Sequence, residues 1–552
     1  MTNTVLLDAG VVSRCRRRVH LEHDPAMREA HRAAPDPTGE LRKADAAAHR
    51  RAVADRLAER HGTAWREIGP GPAAERELAT SAAIADGAAF IWSAQLPRDA
   101  GGGRRGTIDL LVRCAEGAGG AFGYVPVLVV RHKVTDPGTG ARTCALAELP
   151  AVGGSPDERR KVRPQPRDQL RLAHVRRLLE AAGHAAPGPA LAGVIGLDGD
   201  VVVWHDLDAP TWPGGRTALE EYDSRFADRH AVAAAAAAGG RALAEPSRIV
   251  ECRSCPWWPV CEGELIAGRD VSLVVRGEDA GLLREAGVRT VDELAAVDPD
   301  ASGDEVPALV GMPVADAVGL AKAWLADLTL VRRAERVTVP RADVEVDVDM
   351  ESFGDAGAYL WGALLSGADV GLAPGYRAFV SWEPLPTDDE ARSFAEFWAW
   401  LTGVRAAAAR RGLTFRAYCY NELAENRWLL ASAKRFAGRP GIPRRAEVLA
   451  FIESDAWFDL FASVRAHFLC SHGKGLKTIA PVAGFTWRDP DAGGENSMRW
   501  YRAAVGLDGG VPDPAQRVRL LEYNEDDVLA TAALRGWMSS PEVEKIPYVG
   551  DL

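Results

Sequence analysis

The sequence predicts an α/β protein of several domains, on three observations. The chain has 552 residues, more than one ordinary core accommodates. Valine-rich stretches of strand length alternate with helix-favouring stretches from residue 106 onward. After a helical segment, the strand pattern starts again near residue 343. An apolar content of 47% with 26% charged residues is that of a folded chain. No apolar run reaches the length of about eighteen residues that a membrane span needs. The opening MTNTVLLDAG lacks the basic start and long apolar stretch of a secretory signal, so a cytoplasmic protein with no membrane partner is expected.

AAAHRRAVADRLAERHG reads as an amphipathic helix. GTIDLLVRC and YVPVLVVRHKV read as two strands of a hairpin joined by the Gly-rich AEGAGGAFG. A basic helix follows at about 167–182. AGVIGLDGDVVVWHDL gives two strands around an Asp-Gly turn, and AVAAAAAAGG is a helix ending in Gly. The segment AGLLREAGVRTVDELAAVDP is a short helix, a turn and a second helix capped by Thr290. Alternation then marks DVEVDVDMES and AYLWGALL as strands. TFRAYCYNELAENRWLL is a strand followed by a helix, and LEYNEDDVLATAALRGWM is a late helix with an apolar tail. Boundaries near 267 and 336 divide the chain into 1–267, 268–335 and 336–552.

The net charge of −11 argues mildly against a nonspecific nucleic-acid coat. Local runs cut the other way: RCRRRVH and RRKVRPQPRDQLRLAHVRRLL are strongly basic, while DVEVDVDMES and YNEDD carry much of the acid. Eight cysteines are present. Cys252, Cys255 and Cys261 have the spacing C-x2-C-x5-C and lack a fourth ligand nearby; Cys15, in a basic terminal context, is the candidate. Cys114, Cys144, Cys419 and Cys470 read as small core residues.

One distant cysteine plus three at a domain end resembles the iron–sulfur staple of RecB-like nucleases. The resemblance implies a [4Fe–4S] cluster on Cys15, Cys252, Cys255 and Cys261, with Zn²⁺ as the alternative. It also implies a PD-(D/E)XK core in residues 1–267. Asp109 matches the first acid of that core, Gln169 its helical Gln, His49 a helical His, and His174 stands where an aromatic is common. The central motif departs from the family: Val129 stands where the second acid belongs, Arg131 where the Lys belongs, and Asp136 has the wrong spacing. A degenerate site is the competing reading, and an ordinary strand-end Asp and a surface Gln are the bland ones. Residues 268–335 resemble a helix-hairpin-helix unit, with Ala286-Gly287-Val288 in place of the usual Gly-x-Gly; a plain helical linker explains them equally well.

The last segment resembles ribonuclease H-like exonucleases of the DEDDy type. Asp349 and Glu351 form D-x-E on one face of a strand, and Asp347 shares that face as an extra ligand or register alternative. Tyr523 and Asp527, at i and i+4, share one helix face. Glu522, Glu525 and Asp526 are expected to be solvated. The third acid is sought among Asn421, Glu422 and Glu425, and Glu425 is preferred. Asp459 matches a "DL" pair, and Lys477 a segment that meets phosphate. The resemblance implies Mg²⁺ or Mn²⁺ on Asp349, Glu351, Glu425 and Asp527, with Tyr523 beside the attacking water.

The resemblance implies a metal-dependent nuclease acting on DNA in preference to RNA, a 3′→5′ exonuclease in repair or recombination. With no GxxxxGK[ST] in the chain, the resemblance implies a separate helicase as partner. The alternatives are a non-catalytic nucleic-acid scaffold with decayed sites, and nuclease activity residing in the N-terminal domain.

Overall fold

The computed structural model describes residues 5–34, 37–116, 122–298, 307–491, 493–507 and 509–552. The Gly-rich connection expected at 115–123 lies mostly outside the described residues. The chain divides into two compact units, Met1–Ala267 and Gly268–Leu552. Among the described residues no helix is long and apolar enough to cross a membrane.

Among the described residues ten strands form in the first unit: β1 (Trp65–Glu67), β2 (Phe90–Gln95), β3 (Thr107–Glu116), β4 (Phe122–Val129), β5 (Thr135–Pro137), β6 (Arg142–Ala145), β7 (Ser155–Pro156), β8 (Arg160–Val162), β9 (Leu191–Ile195) and β10 (Val201–Asp206). Eight of them make one sheet in the order β1-β2-β3-β4-β9-β10-β6-β7, and β5 pairs with β8. β2, β3 and β4 run antiparallel in sequence. The helix Pro166–Ala181 then carries the chain over, so that β9 lies parallel to β4. Alternation buries both faces of β3: Leu111 joins one core cluster with Leu128 and Leu172, while Leu110 and Val112 join another with Val129 and Trp204.

The second unit begins with short helices, Glu278–Glu285, Val291–Ala295 and Val314–Leu325. Thr290 caps the second of these, its Oγ1 accepting from the Glu293 amide at 3.1 Å. Gly287 turns the chain between the first two at φ +91°, a conformation other residues adopt only under strain. Strands β11 (Leu330–Arg332), β12 (Val344–Ser352), β13 (Ala358–Gly367), β14 (Gly375–Val380), β15 (Phe415–Cys419), β16 (Trp457–Asp459) and β17 (Phe468–Cys470) follow. Five make a sheet in the order β14-β13-β12-β15-β16, and β11 pairs with β17. β12 is central, antiparallel to β13 and parallel to β15. One face of the sheet carries Val344, Val346, Val348 and Met350, which pack with Phe394, Phe397, Leu401 and Val404 of the helix Asp389–Arg410. The opposite face of β12 meets the C-terminal helix Pro514–Met538. That helix starts where Asp513 accepts from the Ala515 amide and Pro514 occupies its first turn.

Of the four cysteines expected in the core, Cys144, Cys419 and Cys470 are buried. Cys114 is not: it stands exposed toward the end of β3, where the pairing with β4 shifts register between Arg113 and Ala115.

Candidate metal centre

Period-two alternation puts Glu345, Asp347, Asp349 and Glu351 in a row toward the C-terminal helix. Four carboxylates on one buried face repel one another unless they are compensated. Arg535 compensates two of them. It is 2% exposed, ion-paired to Glu345 and, at 2.6 Å, to Asp347. Its guanidinium also lies 4.3 Å from the centre of the Tyr418 ring. Arg341 and the Tyr418 hydroxyl add bonds of 2.7 and 2.9 Å to Glu345. Asp347 is therefore not a spare metal ligand; its charge is taken up by Arg535, two helical turns along from Asp527.

Asp349 and Glu351 have no such cation. Together with Asp527 they offer one oxygen each, all within 4.8 Å of one another. Each oxygen set is held from behind. The Asn524 side-chain amide donates to Asp349 at 2.7 Å and accepts from the Tyr376 hydroxyl at 2.7 Å. Ser497 donates to Glu351 at 2.9 Å. The Trp487 indole donates to Asp527 at 2.7 Å. Gly362, directly across from Asp349 on β13, makes room for Asn524: a Cβ there would stand 1.6 Å from the Asn524 side-chain oxygen. Burial, reinforced by the neighbouring carboxylates, pushes Asp349 well above its ordinary pKa and Glu351 up to about 8. Burial also raises Asp527, against the pull of the Lys477 ammonium.

Glu425 comes from the first turn of the helix Leu423–Arg435. It is 4% exposed, and its Oε2 has no hydrogen-bond partner. Burial, with Asp459, Glu351 and Asp527 adding to it, pushes it up to about 8. Its oxygens stay outside the 4.8 Å group, so three carboxylates converge and Glu425 stands beside them. The groups around it are engaged elsewhere: Asn421 and Glu422, the other two candidates for the third acid, and Asp459 of the expected DL pair. Asp459 caps the helix Leu460–His467, accepting from the amides of Phe461 at 3.0 Å and Asn421 at 2.8 Å. Glu422 accepts from the Asn426 side chain.

Tyr523 is 4% exposed, and Lys477 Nζ donates to its hydroxyl at 2.7 Å while lying 3.9 Å from Asp527. Burial beside Glu351, Asp527 and Asp349 raises the phenol far above its usual range, so it stays neutral. The three remaining acids of LEYNEDDV differ from the expectation of common solvation. Glu522 is exposed, but Asp526 is 3% exposed and Glu525 is half-buried. Arg488, from the loop after Trp487, bonds Asp526 through its backbone amide and its Nε, both at 2.8 Å, and reaches Glu525 at 2.8 Å. Asn524, Trp487, Ser497, Gly362 and Arg535 escaped sequence reasoning; only the tertiary approach of the helix and the loop brings them to the carboxylates.

The N-terminal candidates are arranged differently. Asp109 accepts from the Val129 amide at 2.8 Å and has the Arg50 guanidinium 3.9 Å away. Val129 is buried, and Arg131 is paired with Asp45 at 3.0 Å. Gln169 accepts from the Trp212 indole at 2.9 Å and meets His205 at 3.4 Å. His174 is fully buried, bonded to the Tyr222 hydroxyl and the Arg105 carbonyl, and burial pulls it down to about 4. The four cysteines Cys15, Cys252, Cys255 and Cys261 line one cavity with Arg17, Arg18 and Trp258. Burial raises Cys252 and Cys255 and pushes Cys261 up to about 12. No three of these thiols lie within 4.8 Å of one another.

Residues 434–539 match the family model of the RNase H superfamily. No curated protein and no solved structure matches the chain. The matched stretch contains Lys477, Trp487, Ser497, Tyr523 and Asp527 and reaches Arg535; the strand with Asp349 and Glu351 precedes it. The C-terminal region is ribonuclease H-like, a nuclease-type fold that carries an acidic triad able to hold a divalent cation.

Proposed function

We propose that the C-terminal unit is a divalent-metal-dependent nuclease that removes nucleotides from the 3′ end of DNA. The observation that carries this reading is the group Asp349, Glu351 and Asp527: three carboxylates within 4.8 Å, set in a ribonuclease H-like region. The donor set suits Mg²⁺ or Mn²⁺, being all oxygen and anionic. The partnerless Glu425 Oε2 adds an anionic donor at the edge. Asp349, Glu351 and Asp527 would hold the ion, with Glu425 joining through direct or water-mediated contact. A cation bound there supplies Lewis acidity to a phosphoryl oxygen and acidifies a bound water.

The chain's own residues do the rest. Asn524, Ser497 and Trp487 fix the three carboxylates in orientation, as hydrogen-bonded supports of metal ligands do. Tyr523, held neutral, orients a water or phosphate oxygen as a hydrogen-bonding group instead of taking its proton. Lys477 is half-exposed at the rim and meets the negative charge of the scissile phosphate. The preference for DNA and the 3′→5′ direction come from the DEDDy resemblance.

The first unit is read as a PD-(D/E)XK-like domain without a working metal site. The antiparallel run β2-β3-β4, the crossover helix and the parallel β9 support the fold. The lone Asp109, with the Val129 amide and Arg50 as partners, supports the loss of activity. The four thiols on one cavity support a metal staple. Thiolates on a single zinc lie about 3.8 Å apart, from a Zn–S bond of about 2.3 Å in a tetrahedron. Four thiols on one cavity suit such a zinc or a larger [4Fe–4S] cluster, and the preference for the cluster comes from the RecB-like resemblance.

Incubation of 3′- and 5′-labelled DNA and RNA strands with the full chain in Mg²⁺ or Mn²⁺ tests the main reading. Stepwise loss from the 3′ end, abolished by Asp527→Ala, is the expected result. Binding without metal-dependent turnover would leave a scaffold, and loss of cleavage with Asp109→Ala alone would move the activity to the first unit. Anaerobically purified protein is expected to be brown, with its visible absorption lost in Cys255→Ser; a colourless, zinc-loaded protein would replace the cluster by zinc.

A further inference from the structure

A second cationic feature lies within the Gly268–Leu552 unit and is used by none of the chemistry above. A cleft of about 430 Å³ opens between the start of the helix Val314–Leu325 and the helix Leu460–His467. Its walls carry Arg333, Arg465 and Lys474 against a single acid, Asp316. Asp316 is committed to Arg333 at 2.9 Å. Arg465 and Lys474 have no carboxylate within ion-pair distance among the described residues, and Lys474 Nζ makes no hydrogen bond to them. Arg465 is exposed and Lys474 half-buried. Burial lowers the pKa of Lys474; Cys470 and Asp316 oppose this, while the Arg333 and Arg465 guanidiniums push in the same direction as burial. Such a cluster holds like charges together at a cost, and a bound anion removes that cost.

We infer that this cleft is a phosphate-binding subsite that grips the backbone of a nucleic-acid strand away from the bond being cut. Arg465 offers a planar fork to a phosphodiester and Lys474 a point charge, and the positive end of the helix Val314–Leu325 opens at the same cleft. Continuity with the acidic centre favours a strand over a free anion. Lys474 and Lys477 stand three residues apart in SHGKGLKT, so one short loop serves both the cleft and Tyr523. The loop is pinned between them, since the Tyr420 hydroxyl donates to the Lys474 carbonyl. Met312, Pro313 and Leu320 supply an apolar wall against which sugars can lie. This subsite rests on the nuclease reading for its ligand.

The test uses the full chain in an Asp527→Asn background, so that bound strand is not consumed. Fluorescence anisotropy with a labelled single-stranded oligonucleotide is followed from low to moderate salt, for the parent, for Lys474→Ala and for Arg465→Ala. Each substitution is expected to weaken binding several-fold and to reduce the slope of log affinity against log salt by about 0.7, the contribution of one phosphate contact on a single strand. Arg465 is exposed, so its variant guards against a folding failure at Lys474. Unchanged affinity and slope in Arg465→Ala, with the parent binding normally, would overturn the subsite alone. A parent that binds no strand at all would overturn it together with the nuclease reading. Variants that lose only competition by a free mononucleotide, while holding the strand as the parent does, would assign the cleft to a small phosphate ester instead.

Discussion

The two units each place an aspartate on a sheet, and the surroundings of the two decide opposite fates. Asp109 is alone, with a backbone amide and a guanidinium at hand; its charge is answered within the protein. Asp349 stands with Glu351 and Asp527, so the Lys477 ammonium, 3.9 Å from Asp527, faces three carboxylates where Arg50, at the same distance from Asp109, faces one. A carboxylate with a partner is finished structure. Three carboxylates around one ammonium raise each other's affinity for protons, and a divalent ion satisfies that demand better than protons do.

The widest separation between the units is expected in activity. Asp349→Ala and Asp527→Ala should each lower metal-dependent strand cleavage by on the order of 100-fold or more, whereas Asp109→Ala should leave it within about twofold; removal of ligand supports alone commonly costs about 10–100-fold. Timed gels of labelled strands read all three, and an equal loss at Asp109 would erase the contrast. Next comes stability. Arg535→Met leaves Asp347 buried without its cation and Glu345 with Arg341 alone, and should cost about 3–5 kcal/mol in a denaturant titration. The supports follow. Gly362→Ala displaces the Asn524 side chain, and Asn524→Ala removes it; both should weaken Mg²⁺ activation by about 10–100-fold with little change in melting temperature.

Acid–base behaviour sharpens the same contrast. Glu351 and Glu425 sit near 8 in the metal-free fold, above the ordinary carboxylate value of about 4.3. Between those limits the folded chain holds protons that the unfolded chain has released. In EDTA, stability therefore falls as pH rises from about 4.3 to 8 and levels off beyond. Mg²⁺ should raise the melting temperature more at pH 8 than at pH 5, because binding displaces those protons. A metal-induced shift independent of pH would contradict the site. The smallest effect belongs to Thr290→Ala, which removes a helix cap and should cost about 1 kcal/mol in the same titration.

Much of the acidic centre was legible in the sequence, because period two in VEVDVDMES and period four in YNEDDV place carboxylates on shared faces by local geometry. Local geometry pairs Asp349 with Glu351 and Tyr523 with Asp527; joining the two pairs into one centre took the DEDDy resemblance. What local periodicity does not carry is which neighbour arrives. Asp526 looked solvated because Arg488, which buries it, comes from a loop 38 residues away. Asp347 looked like a ligand because Arg535 lies 188 residues downstream. Glu425 was legible as a buried acid at the start of a helix, but its distance from the triad depends on how that helix seats on the sheet.

The pairing of Arg535 with Glu345 and Asp347 has a consequence for how the sheet finds its alignment. β12 repeats an apolar and an acidic residue four times, so sliding it by two positions leaves valine facing the core and acid facing the helix. The oil-and-water pattern that normally rejects a shifted strand is blind to that slip. A single guanidinium, buried at a fixed height on the C-terminal helix, is not. It makes one frame of the repeat lower in energy than the next, and in that frame the two acids left over are those beside Asp527. Arg535 thus acts as a ruler for the strand: it determines which aspartate of a repetitive sequence stands in the carboxylate triad.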